Sequence, residues 1–246
     1  MADPGHLSSK SIASSERLIF ALDLPGTAAA KEMVVRLGDA VTFYKVGLQL
    51  FMSGGYFEFI EELKALGKKV FVDLKFFDVP ETVRLAVRAL RERACADFCT
   101  VHGNDGILKA AAAEKGNMKI LAVTALTSLD RGDLRDLGFE CDVTALVLSR
   151  ARRALDSGCD GVISSGLEAN ALRAELGPRL LVVTPGIRPV DNDARPADDQ
   201  KRTMALDEAF RSGADYIVVG RPIRNAPDPR EAALGMPRQI RAGFES

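Results

Sequence analysis

Tryptophan is absent from this chain of 246 residues, histidine occurs twice and cysteine four times. These scarcities narrow the chemistry. His6 and His102 are too few, and Cys95, Cys99, Cys141 and Cys159 form no C-x-x-C pair, so no metal site of ordinary zinc-ligand spacing is expected. The cysteines read instead as buried, reduced thiols of a cytosolic protein. An excess of one charge is also missing. With 33 Lys and Arg against 34 Asp and Glu, the net charge is -1, which lacks the basic footprint of a nucleic-acid binder, so any anionic ligand must be held locally. No segment approaches the roughly 18 uninterrupted apolar residues of a membrane span. Residues 1–15 (MADPGHLSSKSIASS) are polar, rich in serine and without the apolar core of a secretory signal. They read as a disordered polar tail on a soluble, cytoplasmic protein.

What is present is a regular alternation. Short β-rich runs occur at 18–24, 42–47, 70–75, 98–102, 120–125, 161–165, 180–185 and 216–220. Stretches with helical spacing lie between them, such as 80–93, 143–156 and 205–212, rich in Ala, Leu, Arg and Glu. No long linker separates a second domain. Eight β/α units at this length predict a TIM (β/α)8 barrel, one domain over residues 16–246; an open doubly wound sheet is the alternative, but no G-x-G-x-x-G follows the first strand.

In such a barrel, reactive groups come from the carboxyl ends of the strands and the loops after them. The densest cluster is Asp73-Leu74-Lys75-Phe76-Phe77-Asp78-Val79-Pro80-Glu81-Thr82. Strand alternation puts Asp73 and Lys75 on one face, an ammonium beside a carboxylate and hence a proton source in a strong local field. Asp78, before Pro80, can cap the next helix or reach outward. Taken alone, so short a pattern is more often a salt-bridged strand end with a helix cap. Other strand ends strengthen it. Asp23 stands at the end of the first strand, where a capping role is the simpler reading, and Lys45 is a lysine in an apolar strand that needs a carboxylate partner, for which Asp73 is the candidate. His102, with no second histidine beside it, reads as structural. Thr127 and Ser128 follow the fifth strand, Pro185 to Arg188 the seventh, and Gly220-Arg221 the eighth, where barrels often hold phosphate. The polar loop from Arg188 to Arg202 reads as a lid or as a solvated connection.

These motifs, in this order, resemble the bacterial form of the orotidine 5'-phosphate decarboxylase family over about residues 17–242. Further anchors are Tyr44-Lys45-Val46-Gly47, Thr184-Pro185-Gly186-Ile187-Arg188-Pro189 and Asp199-Gln200-Lys201-Arg202. The resemblance implies loss of the C6 carboxylate of orotidine 5'-monophosphate to give uridine 5'-monophosphate, the last step of UMP biosynthesis, in a homodimer with shared active sites and without metal or cofactor. It implies that Lys75 stabilises the C6 carbanion and donates the proton, with Asp73, Lys45 and Asp78 completing the charged array. Asp23 and Lys45 would hold the ribose, and Thr82 would reach the partner's site. Thr127 or Ser128 would contact the pyrimidine, Pro185 would line the substrate pocket, and Gln200 would join base to phosphate. Arg188, Gly220 and Arg221 would hold the phosphate. Phe77, where bacterial members usually have His, and Glu81, where Asn is common, depart from the pattern.

Two other readings share these residues. A magnesium-dependent sugar-phosphate decarboxylase or aldolase of the same superfamily carries a similar D-x-K-x-x-D, but there the motif usually runs into Ala-Gly rather than Val79-Pro80-Glu81-Thr82. A phosphate-ligand sensor on a barrel scaffold is the reading without catalysis. The intact charged array argues against it.

Overall fold

The computed structural model describes residues 7–188 and 202–245. Its barrel strands are β1 Leu18–Ala21, β2 Phe43–Gly47, β3 Lys69–Phe76, β4 Phe98–Val101, β5 Lys119–Val123, β6 Gly161–Ile163 and β7 Leu181–Thr184, and the ring is completed by β10 Tyr216–Val219. All neighbours pair in parallel and the ring closes in the order β1-β10-β7-β6-β5-β4-β3-β2. This closed barrel rules out the open sheet. A separate two-stranded pair, β8 Ile187–Arg188 and β9 Met204–Ala205, forms in the loop after β7; the sequence reading did not anticipate it.

The connecting helices are α1 Thr27–Leu37, α2 Leu48–Phe51, α3 Tyr56–Ala65, α4 Pro80–Ala94, α5 Asp105–Glu114 and α6 Arg131–Asp136. They continue with α7 Val143–Asp156, α8 Gly166–Leu176, α9 Leu206–Arg211, α10 Arg221–Arg224 and α11 Pro229–Glu245. Local chemistry explains their limits. In α4, Pro80 occupies a first-turn position whose N–H has no helical acceptor, and Val83, Val87, Leu90 and Ala94 form the buried stripe; Cys95 in the left-handed region ends it. The carboxylate of Asp142 accepts from the N–H of Ala145 and starts α7.

Two apolar layers follow from the strand period. Tyr44, Val72 and Cys99 point outward against the helices, whereas Phe43, Phe71, Phe98, Leu121 and Tyr216 fill the barrel. The rings of Phe43 and Phe98 meet edge to face at 5.0 Å, and those of Phe98 and Tyr216 at 5.2 Å. A period of two then fixes what comes next: Lys45 follows Phe43, Asp73 follows Phe71 and Thr100 follows Phe98, so one aromatic layer supports one polar layer above it. At Gly161 the β6–β7 backbones approach so closely that a Cβ would lie 2.4 Å from the Leu181 carbonyl oxygen.

The amino-terminal segment departs from expectation. Ser8 is buried and its hydroxyl donates to Asp215, Lys10 pairs with the same carboxylate at 3.0 Å, and Arg17 donates to the Asp215 carbonyl. Arg173 completes the cluster at 2.6 Å from Asp215. Of the tail expected over residues 1–15, the part from Ser8 onward is therefore pinned to the barrel. A carboxylate left wholly unexposed beneath β10 needs these donors. The cysteine expectation holds for half of them: Cys99 and Cys159 are buried, Cys95 and Cys141 exposed, and all four are free thiols.

Candidate active site

A cavity of about 600 Å³ opens at the carboxyl ends of the strands. Its floor carries Phe71, Val218 and Ile163, and its wall carries Asp23, Lys45, Asp73 and Lys75. Thr127 and Ser128 line the side beyond the carboxyl end of β5, while Pro185, Arg188, Gly220 and Arg221 line the side formed by the ends of β7 and β10. Ten of the sequence-derived candidates thus share one pocket.

Its charged groups alternate in sign. Asp23 and Lys45 lie 3.0 Å apart, Lys45 and Asp73 3.4 Å, and Asp73 and Lys75 2.9 Å. Burial by itself would lower the pKa of the Lys45 ammonium, but Asp73 and Asp23 on either side outweigh it and the pKa is raised. Burial would likewise raise the Asp73 pKa, and Lys45, Lys75 and the Thr100 hydroxyl reverse it, so the carboxylate is held below its ordinary range. Both groups are therefore charged at neutral pH. Gly47 preserves the space of this chain of charges, because a Cβ there would sit 3.3 Å from the Lys45 ammonium nitrogen.

Lys75 reaches Asp73 by a less regular route than strand alternation predicts. The β3–β4 register runs through Val72↔Cys99 and resumes at Phe76↔Val101, so Asp73, Leu74 and Lys75 face Thr100 alone. Lys75 has φ 50°, unusual for a residue with a Cβ. A bulge, rather than a straight strand, turns its ammonium back toward Asp73.

Several expected residues stand elsewhere. Asp78 and Thr82 are exposed and do not line this cavity; Asp78 accepts from the N–H of Val79 and provides no cap to α4, whose amino-terminal flank has no side-chain cap. Beside them Phe77 and Val79 are 67% and 62% exposed. Gln200 and most of the expected lid lie outside the described residues. His102, read from the sequence as structural, does not line the cavity. Its Nδ1–H donates to the Val123 carbonyl at 3.1 Å, its ring packs edge-on against Phe77 at 5.3 Å, and burial lowers its pKa.

Two polar pocket residues escaped the sequence reading. Gln49 lies on the short helix after β2, and Arg224, one turn after Arg221, lines the same rim and donates to the Asp23 carbonyl. The i, i+3 spacing of two arginines after Gly220 was the available signal. Arg202 is also anchored here, 2.6 Å from the buried Glu168 and donating to the Leu126 carbonyl, which ties the chain just before β9 to the turn that carries Thr127.

Comparison with known proteins gives a consistent result. The model of the orotidine 5'-phosphate decarboxylase / HUMPS family matches residues 16–236. The orotidine 5'-phosphate decarboxylase of Methylococcus capsulatus is 66% identical over 241 residues, 98% of each chain, and that of Xanthomonas euvesicatoria is 49% identical over 235 residues, 95% of each. The crystal structure of orotidine 5'-phosphate decarboxylase from Lactobacillus acidophilus superposes with a TM-score of 0.80 at 35% identity, covering 94% of this chain and 100% of that one.

Proposed function

The chain belongs to the orotidine 5'-phosphate decarboxylase / HUMPS family, and from that premise we propose that it decarboxylates orotidine 5'-monophosphate to uridine 5'-monophosphate, the last step of UMP biosynthesis, with neither metal nor cofactor. The observation that carries this reading is the alternating row Asp23, Lys45, Asp73, Lys75 in a single cavity.

The chemistry explains the need for such a row. When the bond from C6 to the carboxylate breaks, the electron pair stays on C6, where no ring carbonyl delocalises it, so the barrier in water is very high and the enzyme must lower it by something on the order of 20 kcal/mol. The Lys75 ammonium supplies a fixed positive charge at the developing carbanion and then gives it a proton, leaving UMP, carbon dioxide and a neutral amine. Asp73 keeps that ammonium in place and lies against the substrate carboxylate, a repulsive contact that ends when neutral carbon dioxide departs. Lys45 and Asp23 hold the ribose, Thr127 or Ser128 meets the pyrimidine and Pro185 lines the pocket. Arg188, Gly220 and Arg221 take the phosphate, and Gln200, which lies outside the described residues, joins base to phosphate. The large share of the pocket given to phosphate fits a reaction in which remote binding energy lowers the chemical barrier.

The magnesium-dependent alternative is poorly supported by the donor set. Each wall carboxylate already faces a lysine ammonium, and among the described residues no group of three or more His, Cys, Asp or Glu side chains is gathered as ligands. An absorbance assay with orotidine 5'-monophosphate in excess chelator tests the proposal. Full turnover is expected, and activity that appears only on adding magnesium would overturn it.

The proposal includes a cytoplasmic homodimer in which Asp78 and Thr82 complete the partner's site. Its support is their position: both lie outside their own cavity at the start of α4, next to the exposed apolar side chains of Phe77 and Val79. Two such faces related by a two-fold axis would cover one another. Mixing Lys75→Ala with Asp78→Ala subunits should restore activity, because one site of each heterodimer then contains only native residues. If heterodimers form and activity stays at the level of the parent variants, the sharing model fails.

A further inference from the structure

We infer that Thr100, on β4, is a positioning residue for the decarboxylation, its hydroxyl fixing both halves of the Asp73–Lys75 pair at once; the inference rests on the function proposed above. Thr100 is fully buried and lies directly above Phe98 on the inward face of its strand. Its Oγ1 donates to Asp73 Oδ1 at 2.9 Å and accepts the Lys75 backbone N–H at 3.0 Å. Lys75 Nζ donates to that same carboxylate oxygen, also at 2.9 Å. One hydroxyl therefore bonds to the carboxylate through its proton and to the backbone of the lysine through its oxygen.

The bulge explains why a hydroxyl is needed. The regular β3–β4 ladder is interrupted between Val72 and Phe76, where three residues of β3 face one of β4. The Lys75 N–H lacks a regular ladder partner there, and a buried N–H without an acceptor is costly. Thr100 supplies that acceptor from its side chain, at the point where Lys75 adopts φ 50°. Such a conformation persists only where its surroundings enforce it. The second bond acts on the carboxylate. Asp73 Oδ2 faces Lys45 at 3.4 Å, and Oδ1 receives both Thr100 and Lys75, so the donated hydroxyl proton sets which oxygen meets which lysine. When Lys75 gives its proton to C6, Thr100 remains as a donor to Oδ1 and keeps the carboxylate oriented.

Three variants separate this role from simple packing. Thr100→Val keeps the shape and both methyl-sized branches but removes donor and acceptor; Thr100→Ser keeps the hydroxyl and loses only the methyl; Thr100→Ala serves in place of Val should Val fail to fold. Each is assayed for turnover of orotidine 5'-monophosphate and for binding of UMP by calorimetry, beside the wild type. Displacement of reacting groups by about 1 Å can cost about a hundredfold in rate. Thr100→Val is accordingly expected to lose about a hundredfold in kcat with KM and the UMP Kd within about threefold of wild type, and Thr100→Ser to keep most of the rate. A Val variant with near wild-type kcat, a Ser variant as impaired as Val, or loss of kcat and UMP binding in parallel would each overturn the inference. Inactivity of the wild type on orotidine 5'-monophosphate would overturn the proposed function first, and the inference with it. An active wild type with the wrong variant pattern would overturn the inference alone.

Discussion

Lys75→Ala is expected to lower kcat by at least about 10⁴-fold while the protein still folds and still binds UMP. Two losses combine in that figure. General acid catalysis is typically worth about 10² to 10⁴, and removal of one preorganised group aimed at developing charge about 10² to 10³. In the proposed function one ammonium performs both tasks, so a single truncation would remove both. Folding should survive, since Lys75 is at the cavity wall with its side chain 35% exposed, and Asp73 retains Lys45 at 3.4 Å and the Thr100 hydroxyl as partners. Single-turnover decay of substrate absorbance, with UMP affinity measured on the same preparation, checks it. Retention of more than about a tenth of kcat, a loss below about 1.4 kcal/mol, would remove Lys75 from the role of proton donor.

The second large effect concerns the far end of the substrate. Orotidine lacking its phosphate should be turned over with kcat/KM lower by about 10² to 10⁴, because each charge-assisted bond to a phosphate contributes roughly 1.5 to 3 kcal/mol net and at least two are lost. Arg221→Ala should show the complementary defect, a strongly raised KM for the full substrate. Arg221 begins a short helix just after β10, with Gly220 beside it and Arg188 on the same side of the cavity, so the cationic rim is set by the ends of two adjacent barrel strands. If binding there assists chemistry at C6, added phosphite should partly restore turnover of the truncated substrate. Equal kcat/KM with and without the phosphate would refute both the clamp and its coupling to the reaction.

The parts of the protein that follow from period and composition were open to reading from the chain alone. Alternating β-rich and helical runs determined the eight-stranded barrel, and the position of Asp23, Lys45, Asp73, Arg188 and Arg221 at or just past strand ends determined that they would share a mouth, because parallel strands all present their carboxyl ends on one side. The order of motifs determined the family. What depends on residues distant in sequence was decided only by the tertiary structure. Ser8 belongs to the barrel because Asp215, 207 residues away, is buried and needs donors, a requirement that no local pattern of polar residues reveals. Asp78 and Thr82 share a motif with Asp73 and Lys75 yet fall outside the cavity, because both lie beyond the end of β3, Asp78 before α4 begins at Pro80 and Thr82 in its first turn, and both are exposed. Most telling is the Asp73–Lys75 pair itself. Strand alternation correctly put the two on one side, but the contact arises from an interrupted ladder whose unpaired N–H is met by Thr100, 25 residues further on, and only the closing of β4 against β3 brings that hydroxyl into place.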